Sequence, residues 1–223
     1  MRPGVQAVLF DLDGTLIDSA PDLAATANQM RSKRGLPPLP YAALRPHCGS
    51  GTRGMLGAGL SLLPGEPQYA ALRDEFLDLY ESRMLQLTRP FEAMAAVLDV
   101  LDARAVRWGI VTNKALRFAQ PLAQALGLLP RAAVLIGGDS TAHTKPHPEP
   151  LLEAARRLQL PAADCIYVGD DARDMRAGRA AGMAVLAAAW GYLGDGGAPH
   201  SWQADAVLAE PRELLQWLEL QAP

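Results

Sequence analysis

Apolar positions along the chain fall into two regimes. Val5, Ala7, Val8, Leu9 and Phe10 form a short, almost wholly apolar run, the pattern of a strand covered on both faces by helices. The period then lengthens. Asp18, Ser19 and Pro21 make a helix start, and Leu23, Ala24, Ala27 and Met30 follow at helical spacing until GLPPLP at 35–40 ends the helix. A second break at 45–54 (RPHCGSGTRG) precedes a short apolar helix over 55–63. Tyr69, Leu72, Phe76, Leu79, Tyr80 and Met84 then predict a long amphipathic helix over 67–87. Residues 16–89 thus read as helices and loops with no β pattern.

From Pro90 strands and helices alternate. Helices are expected over 94–103, 115–126 (closed by Gly127), 150–158, 172–181 (closed by Gly182) and 211–220. Strands are expected over 106–111, 132–136, 165–168 and 183–188, with a last short one over 205–208. Such alternation implies right-handed crossovers and a mostly parallel sheet, an α/β fold whose ligand chemistry gathers at the strands' C-terminal ends. Residues 1–15 and 90–223 would form this Rossmann-like core. Residues 16–89 would be an inserted all-helical cap domain above it. The stretch 191–199 reads as a surface loop.

Composition narrows the class. With 223 residues, 49% hydrophobic content and 20% charge, the chain can bury a substantial core. Its net charge of -3 gives no basic surface for nucleic acid or an anionic membrane. No apolar run has the length of a secretory signal or a membrane span, so a cytoplasmic location is expected. Cys48 and Cys165 lie far apart without metal-ligand spacing, and they read as buried thiols.

The chemistry begins where the first strand stops. Asp11 and Asp13 flank Leu12, and Gly14 lets the backbone turn sharply after them. Two carboxylates so close repel unless a cation sits between them, and Mg2+ suits oxygen ligands while leaving room for a substrate phosphate. The same residues could simply form a turn. Three later stretches bear on the choice: IVTNK at 110–114, TKPHPEP at 144–150 and YVGDDARD at 167–174. Thr112 and Asn113, after a strand, offer a hydroxyl and a nearby amide or backbone N–H to phosphate oxygens, though turn formation alone would explain both. Lys145 sits in a loop stiffened by Pro146, Pro148 and Pro150, a good place for a fixed positive charge. Asp170, Asp171 and Asp174 make a second acidic cluster at a strand end, with Asp171 a candidate helix cap.

With DLDGT at 11–15, these stretches resemble the signatures of the haloacid dehalogenase superfamily, most of whose members are phosphatases, and the resemblance spans essentially the whole chain. It implies a Mg2+-dependent phosphomonoester hydrolase working through an aspartyl phosphate, with Asp11 as nucleophile and Asp13 as general acid and base. It further implies phosphate binding by Thr112, Asn113 and Lys145, direct metal ligation by Asp11 and Asp170, ligation through the backbone carbonyl of Asp13, and Asp174 as a water-mediated ligand or orienting carboxylate. Within the superfamily the chain looks like the phosphoglycolate phosphatase group. Through RFAQPLAQALGL, GDDARDM and GY followed by W-x-A-D it also resembles N-acetylmuramic acid 6-phosphate phosphatases. The expected partner is a small phosphorylated metabolite, met by a monomer or homodimer.

Two other functions use similar residues. A β-phosphoglucomutase-like isomerase shares the nucleophile and cap but returns the phosphoryl group to sugar. A phosphoaspartate signalling domain also clusters Asp, Thr and Lys, yet it predicts a shorter chain without a cap. GSGTRG at 49–54 matches a dinucleotide-binding pattern but follows RPHC rather than an apolar strand, so that reading fails on context. A cap loop is the better reading, with Arg53 facing a substrate carboxylate and Gly49 and Gly51 leaving space for it. His47, His143, His147 and His200 show no paired metal spacing. Trp190, Trp202 and Trp217 read as packing residues.

Overall fold

The computed structural model describes residues 4–194 and 197–220. Six parallel strands form the main sheet, β1 (Ala7–Phe10), β4 (Arg107–Val111), β5 (Leu135–Ile136), β6 (Cys165–Gly169), β7 (Ala184–Ala188) and β8 (Ala206–Leu208), in the order β5-β4-β1-β6-β7-β8. The chain reaches β4 and β6 on either side of β1. That central place puts the first acidic turn between the ends of two other strands.

Strand alternation assigns the two faces. Val8, Phe10, Ile110, Ile166 and Val168 point to one side, against α5 (Met94–Ala103), α6 (Leu116–Ala125) and α9 (Glu213–Trp217). Ala7, Leu9, Val111, Tyr167 and Val185 point to the other, against α7 (Glu149–Leu158) and α8 (Ala172–Ala180). On the first face the rings of Phe10 and Trp108 meet edge to face, with centroids 6.4 Å apart. Both cysteines are buried and unpaired, as read from the sequence.

Between β1 and β4 lie α1 (Ala20–Lys33), α2 (Tyr41–Leu44), α3 (Gly51–Leu60) and α4 (Tyr69–Glu81), with a 3-10 turn over Arg45–Ser50. Their buried residues, among them Met30, Leu44, Met55, Phe76 and Tyr80, continue the hydrophobic core of the first sheet face. This helical segment departs from expectation in three places. It is not free of β structure, because β2 (Ile17–Asp18) pairs antiparallel with β3 (Arg89–Pro90) where the segment leaves and rejoins the sheet. Two-residue strands are too short to show a period. Helix α3 begins at Gly51 rather than near residue 55, because packing against α1 outweighs the poor helix propensity of Gly51 and Gly54. Helix α4 ends at Glu81. Beyond it, Leu87 and Thr88 are tied to α1, since Asp22 Oδ2 accepts the Leu87 N–H at 3.0 Å and the Thr88 N–H and hydroxyl at 2.8 Å.

Strand β5 is shorter than the 132–136 expected, although Ala133 already donates to the Trp108 carbonyl at 2.8 Å. The closing helix is confined to Glu213–Trp217. Two residues of the loop expected over 191–199 lie outside the described residues.

Candidate active site

Parallel strands deliver their following residues to one edge of the sheet, and here that edge is acidic. Asp11 and Asp13 follow β1, Thr112, Asn113 and Lys114 follow β4, and Asp170 follows β6. With Lys145, from the loop before α7, and Asp174, from the first turn of α8, they line a cavity of about 340 Å3 beneath the helices of the inserted segment.

Lys145 is the hub of the floor. Its ammonium lies 2.9 Å from Asp11 Oδ1 and 2.8 Å from Asp174 Oδ1, and it donates to the Tyr167 hydroxyl at 2.7 Å and the Val111 carbonyl at 3.1 Å. Burial alone would push a lysine toward deprotonation, but the two carboxylates outweigh it and raise its pKa. The side chain therefore carries a fixed positive charge. Asn113 holds the lysine's backbone reciprocally: its amide donates to the Lys145 carbonyl and its oxygen accepts the Lys145 N–H, both at 2.9 Å. That side-chain amide is thus committed to the Lys145 loop. Thr112, nearly buried, accepts the Lys114 N–H at 3.2 Å and faces the cavity.

Asp13 is held on both oxygens. Lys114 Nζ lies 3.1 Å from Oδ2, and the Ser19 hydroxyl donates to Oδ1. Lys114 also lies over the Tyr80 ring, 4.7 Å from its centroid. Burial disfavours its charge, yet Asp13 and Tyr80 reverse the effect and raise its pKa. The Tyr80 ring is buried against the cavity.

Asp170 is buried between two glycines. A side chain on Gly14, at φ +87, would collide with the Asp170 carboxylate, and one on Gly191 would collide with Asp170 Cβ and the Gly14 carbonyl. The carboxylate accepts the Tyr192 N–H at 2.7 Å and the Thr15 hydroxyl at 3.2 Å. Tyr192 reaches onward, its hydroxyl accepting the Ser19 and Ala20 N–H groups at 2.7 and 2.9 Å and donating to Asp18 at 3.0 Å. It therefore satisfies the first free donors of α1, a task the sequence assigns to Ser19 or Asp18. Asp18 shares it, accepting from Ala20 at 3.2 Å, while the Ser19 side chain turns to Asp13 instead.

Carboxylate oxygens of Asp11, Asp170 and Asp174 lie within 4.8 Å of one another. Burial, with only partial relief from Lys145, raises the pKa of Asp11 to about 6. Burial and then the neighbouring carboxylates raise that of Asp170 well above the ordinary range. Three crowded carboxylates, two of which, Asp11 and Asp170, burial disfavours as anions, are a donor set that suits a hard divalent cation. Of the three, Asp174 is the most engaged elsewhere. It holds Lys145 with one oxygen and accepts the Asp171 N–H with the other at 3.1 Å, closing the capping box in which Asp171 caps α8.

The roof comes from the inserted segment. Gly49, Ser50, Gly51 and Thr52 line the cavity together with Phe76, Leu77, Tyr80 and the core residues Arg117, Phe118 and Arg173. Arg173 ties roof to floor, pairing with Asp171 at 2.8 Å and donating to the Gly49 carbonyl at 2.6 Å. Arg53 is not brought in: it is exposed on the first turn of α3 and does not line the cavity. Gly51 opens that helix after a 3-10 turn rather than after a strand. Lys114, Tyr167, Tyr192 and Arg117 are site residues to which the sequence reading assigns no role. Lys114 and Tyr167 stand inside the quoted stretches IVTNK and YVGDDARD, where a buried cation or hydroxyl beside an acidic turn was the available signal.

Comparison with known proteins agrees with this geometry. The family model for haloacid dehalogenase-like hydrolases matches residues 8–188. A phosphoglycolate phosphatase of Xanthomonas campestris pv. campestris is 50% identical over 210 residues, 94% of each chain. An N-acetylmuramic acid 6-phosphate phosphatase of Pseudomonas aeruginosa is 39% identical over 218 residues, 98% of this chain and 96% of that one. In fold, a predicted phosphoglycolate phosphatase from Haemophilus somnus superimposes with a TM-score of 0.86 at 24% identity, covering 98% of this chain and all of the other. With the acidic turns at the strand ends and relatives named as phosphatases along nearly its full length, the chain is a phosphatase belonging to the haloacid dehalogenase-like hydrolase family.

Proposed function

We propose that the protein hydrolyses the phosphomonoester of a small carboxylated metabolite by way of an aspartyl phosphate. The observation that carries this is Asp11, fixed beside the Lys145 ammonium and within reach of Asp170, on the floor of the cavity. An Asp11 oxygen attacks phosphorus, and the bond from phosphorus to the ester oxygen breaks. Asp13, oriented by Lys114 and Ser19, gives its proton to the departing oxygen. Asp13 then takes a proton from water, whose oxygen attacks the phosphoryl group and frees Asp11 and inorganic phosphate. Lys145 and the Thr112 hydroxyl offset charge on the phosphoryl oxygens. Asp11, Asp170 and the main-chain carbonyl of Asp13 would hold Mg2+. When bound, that ion supplies charge neutralisation for the carboxylates and the phosphate.

The helices α1–α4 act in this reading as a cap that shapes the leaving-group side. A cavity of about 340 Å3 with Phe76, Leu77 and Phe118 on one wall falls in the size range of pockets for larger organic ligands. Phosphoglycolate would fill only part of it. The volume favours a phosphorylated sugar acid such as N-acetylmuramic acid 6-phosphate, while the 50% identical Xanthomonas relative favours phosphoglycolate. Steady-state kinetics on both compounds with Mg2+ tests the reading. A kcat/KM at least tenfold higher on the sugar acid supports it. A preference for phosphoglycolate transfers the assignment to the second compound, and turnover of neither overturns both.

A further inference from the structure

The loop that delivers Lys145 inward gathers three metal-ligating side chains on its outer side. His143, His147 and Glu149 each offer one donor atom, and these atoms lie within 4.8 Å of one another. His143 and His147 stand four residues apart, H-x3-H, a metal-ligand spacing that the sequence reading passed over, and they lie on a segment of turns rather than on a helix. A turn brings them together, with the His147 N–H donating to the Thr144 carbonyl at 3.0 Å. Their rings stack with centroids 4.2 Å apart and planes at 23°. Glu149 Oε2 accepts the His143 N–H at 3.1 Å and lies 2.6 Å from His143 Nδ1 and 4.0 Å from His147 Nδ1. Pro146 and Pro148 fix the backbone on either side of His147.

Two imidazoles and a carboxylate form a donor set for a borderline divalent cation. Mg2+ prefers oxygen donors, and imidazole suits Zn2+, Cu2+ or Ni2+. With metal–ligand bonds of about 2 Å, tetrahedral donors sit about 3.3 Å apart, so atoms that lie within 4.8 Å of one another would have to draw together by side-chain rotation to share an ion. Rotation is open to these groups, whose side chains are 60%, 49% and 38% exposed for His143, His147 and Glu149. Three protein ligands would leave one position for water. The hydrogen bond from His143 also lowers the Glu149 pKa, keeping it a carboxylate at neutral pH.

We propose that His143, His147 and Glu149 form a second cation site, for Zn2+ or an ion of its class, distinct in donor chemistry from the carboxylates of Asp11 and Asp170. The site needs no role in phosphoryl transfer, so its test does not depend on the proposed reaction.

The full chain, stripped of metal and then saturated with Mg2+, is titrated with ZnCl2 by isothermal calorimetry. One Zn2+ should bind per chain, with unchanged affinity in Asp170→Asn and at least tenfold weaker affinity in His143→Ala and in His147→Ala. Circular dichroism verifies that each variant is folded. In the wild type, Zn2+ should also protect both histidines from diethyl pyrocarbonate, read by peptide mapping. Undiminished Zn2+ affinity in a folded histidine variant, no Zn2+ binding under saturating Mg2+, or unprotected histidines in the Zn2+-loaded protein would each overturn the proposal.

Discussion

Lys114 and Asp13 form an ion pair on the wall of the cavity, 3.1 Å from Nζ to Oδ2, with side chains only 10% and 15% exposed. Held here and by Ser19 on its other oxygen, the Asp13 carboxylate keeps one orientation toward the cavity. Removing one restraint should cost rate more than binding. Lys114→Met is expected to lower kcat by roughly 10- to 100-fold with little change in KM. Steady-state kinetics decides: a change below about twofold in kcat would mean that Asp13 needs no such partner.

Of the two arginines Arg117 and Arg53, the first borders the cavity and the second does not. Arg117 lines the cavity with its guanidinium over the Phe118 ring, 4.4 Å from the centroid, whereas Arg53 is exposed and outside the cavity lining. Arg117→Ala should lower kcat/KM on a carboxylated substrate by roughly tenfold or more and leave an aryl phosphate nearly unaffected. Arg53→Ala should change neither. The reverse pattern would return the carboxylate contact to the inserted segment.

Gly191 has no room for a methyl group, because Asp170 Cβ and the Gly14 carbonyl occupy its place. Gly191→Ala should push the Asp170 carboxylate out of line and raise the Mg2+ concentration for half-maximal activity by roughly 10- to 100-fold. An unchanged Mg2+ requirement would show that Asp170 does not serve the ion.

Asp22 is fully buried and accepts three hydrogen bonds from Leu87 and Thr88, with Arg83 Nε 3.9 Å from its other oxygen. Asp22→Ala leaves the buried Thr88 N–H and hydroxyl unpaired, a cost of about 3 kcal/mol. For a chain of this length that corresponds to a fall in Tm of roughly 6–12 °C, measurable by calorimetry. A fall under about 2 °C would mean that water replaces the carboxylate.

Burial pushes the Cys48 thiol up to about 12 and the Cys165 thiol up to about 11. Near pH 8 the folded protein therefore holds almost no thiolate, and both cysteines should resist Ellman's reagent until the chain unfolds. A raised folded pKa also fixes the sign of the stability effect. The contribution is complete below the ordinary thiol pKa of about 8.5 and is lost as pH rises through 11 to 12. Rapid labelling of native protein at pH 8 would contradict this.

The sheet was legible in the sequence because its strands lie within short apolar runs between helical stretches, so that even β5, two residues long, sits inside the run over 132–136. The β2–β3 ribbon was not, since two residues carry no period. Asp11, Asp13, Lys145 and Asp170 could be placed because each follows an apolar run or sits among prolines. Tyr192 could not: its effect arises from hydrogen bonds to Ser19 and Asp170, far away along the chain. Arg53 was misplaced by helix phase. With α3 starting at Gly51 it belongs to a helix rather than to a loop, and its neighbour Thr52 faces the cavity instead.

The ribbon of Ile17–Asp18 against Arg89–Pro90 bears on how such a chain can change over time. It brings the two ends of the inserted segment side by side, so for the sheet everything between them is a loop already closed. Lengthening or replacing such a loop costs little, because closure entropy grows only with the logarithm of its length, about 0.6 kcal/mol per doubling. Residues between the ribbon strands are thus free to diverge in size and lining while the acidic edge keeps its register. One catalytic floor can in this way inherit new roofs, and with them new substrates, without refolding.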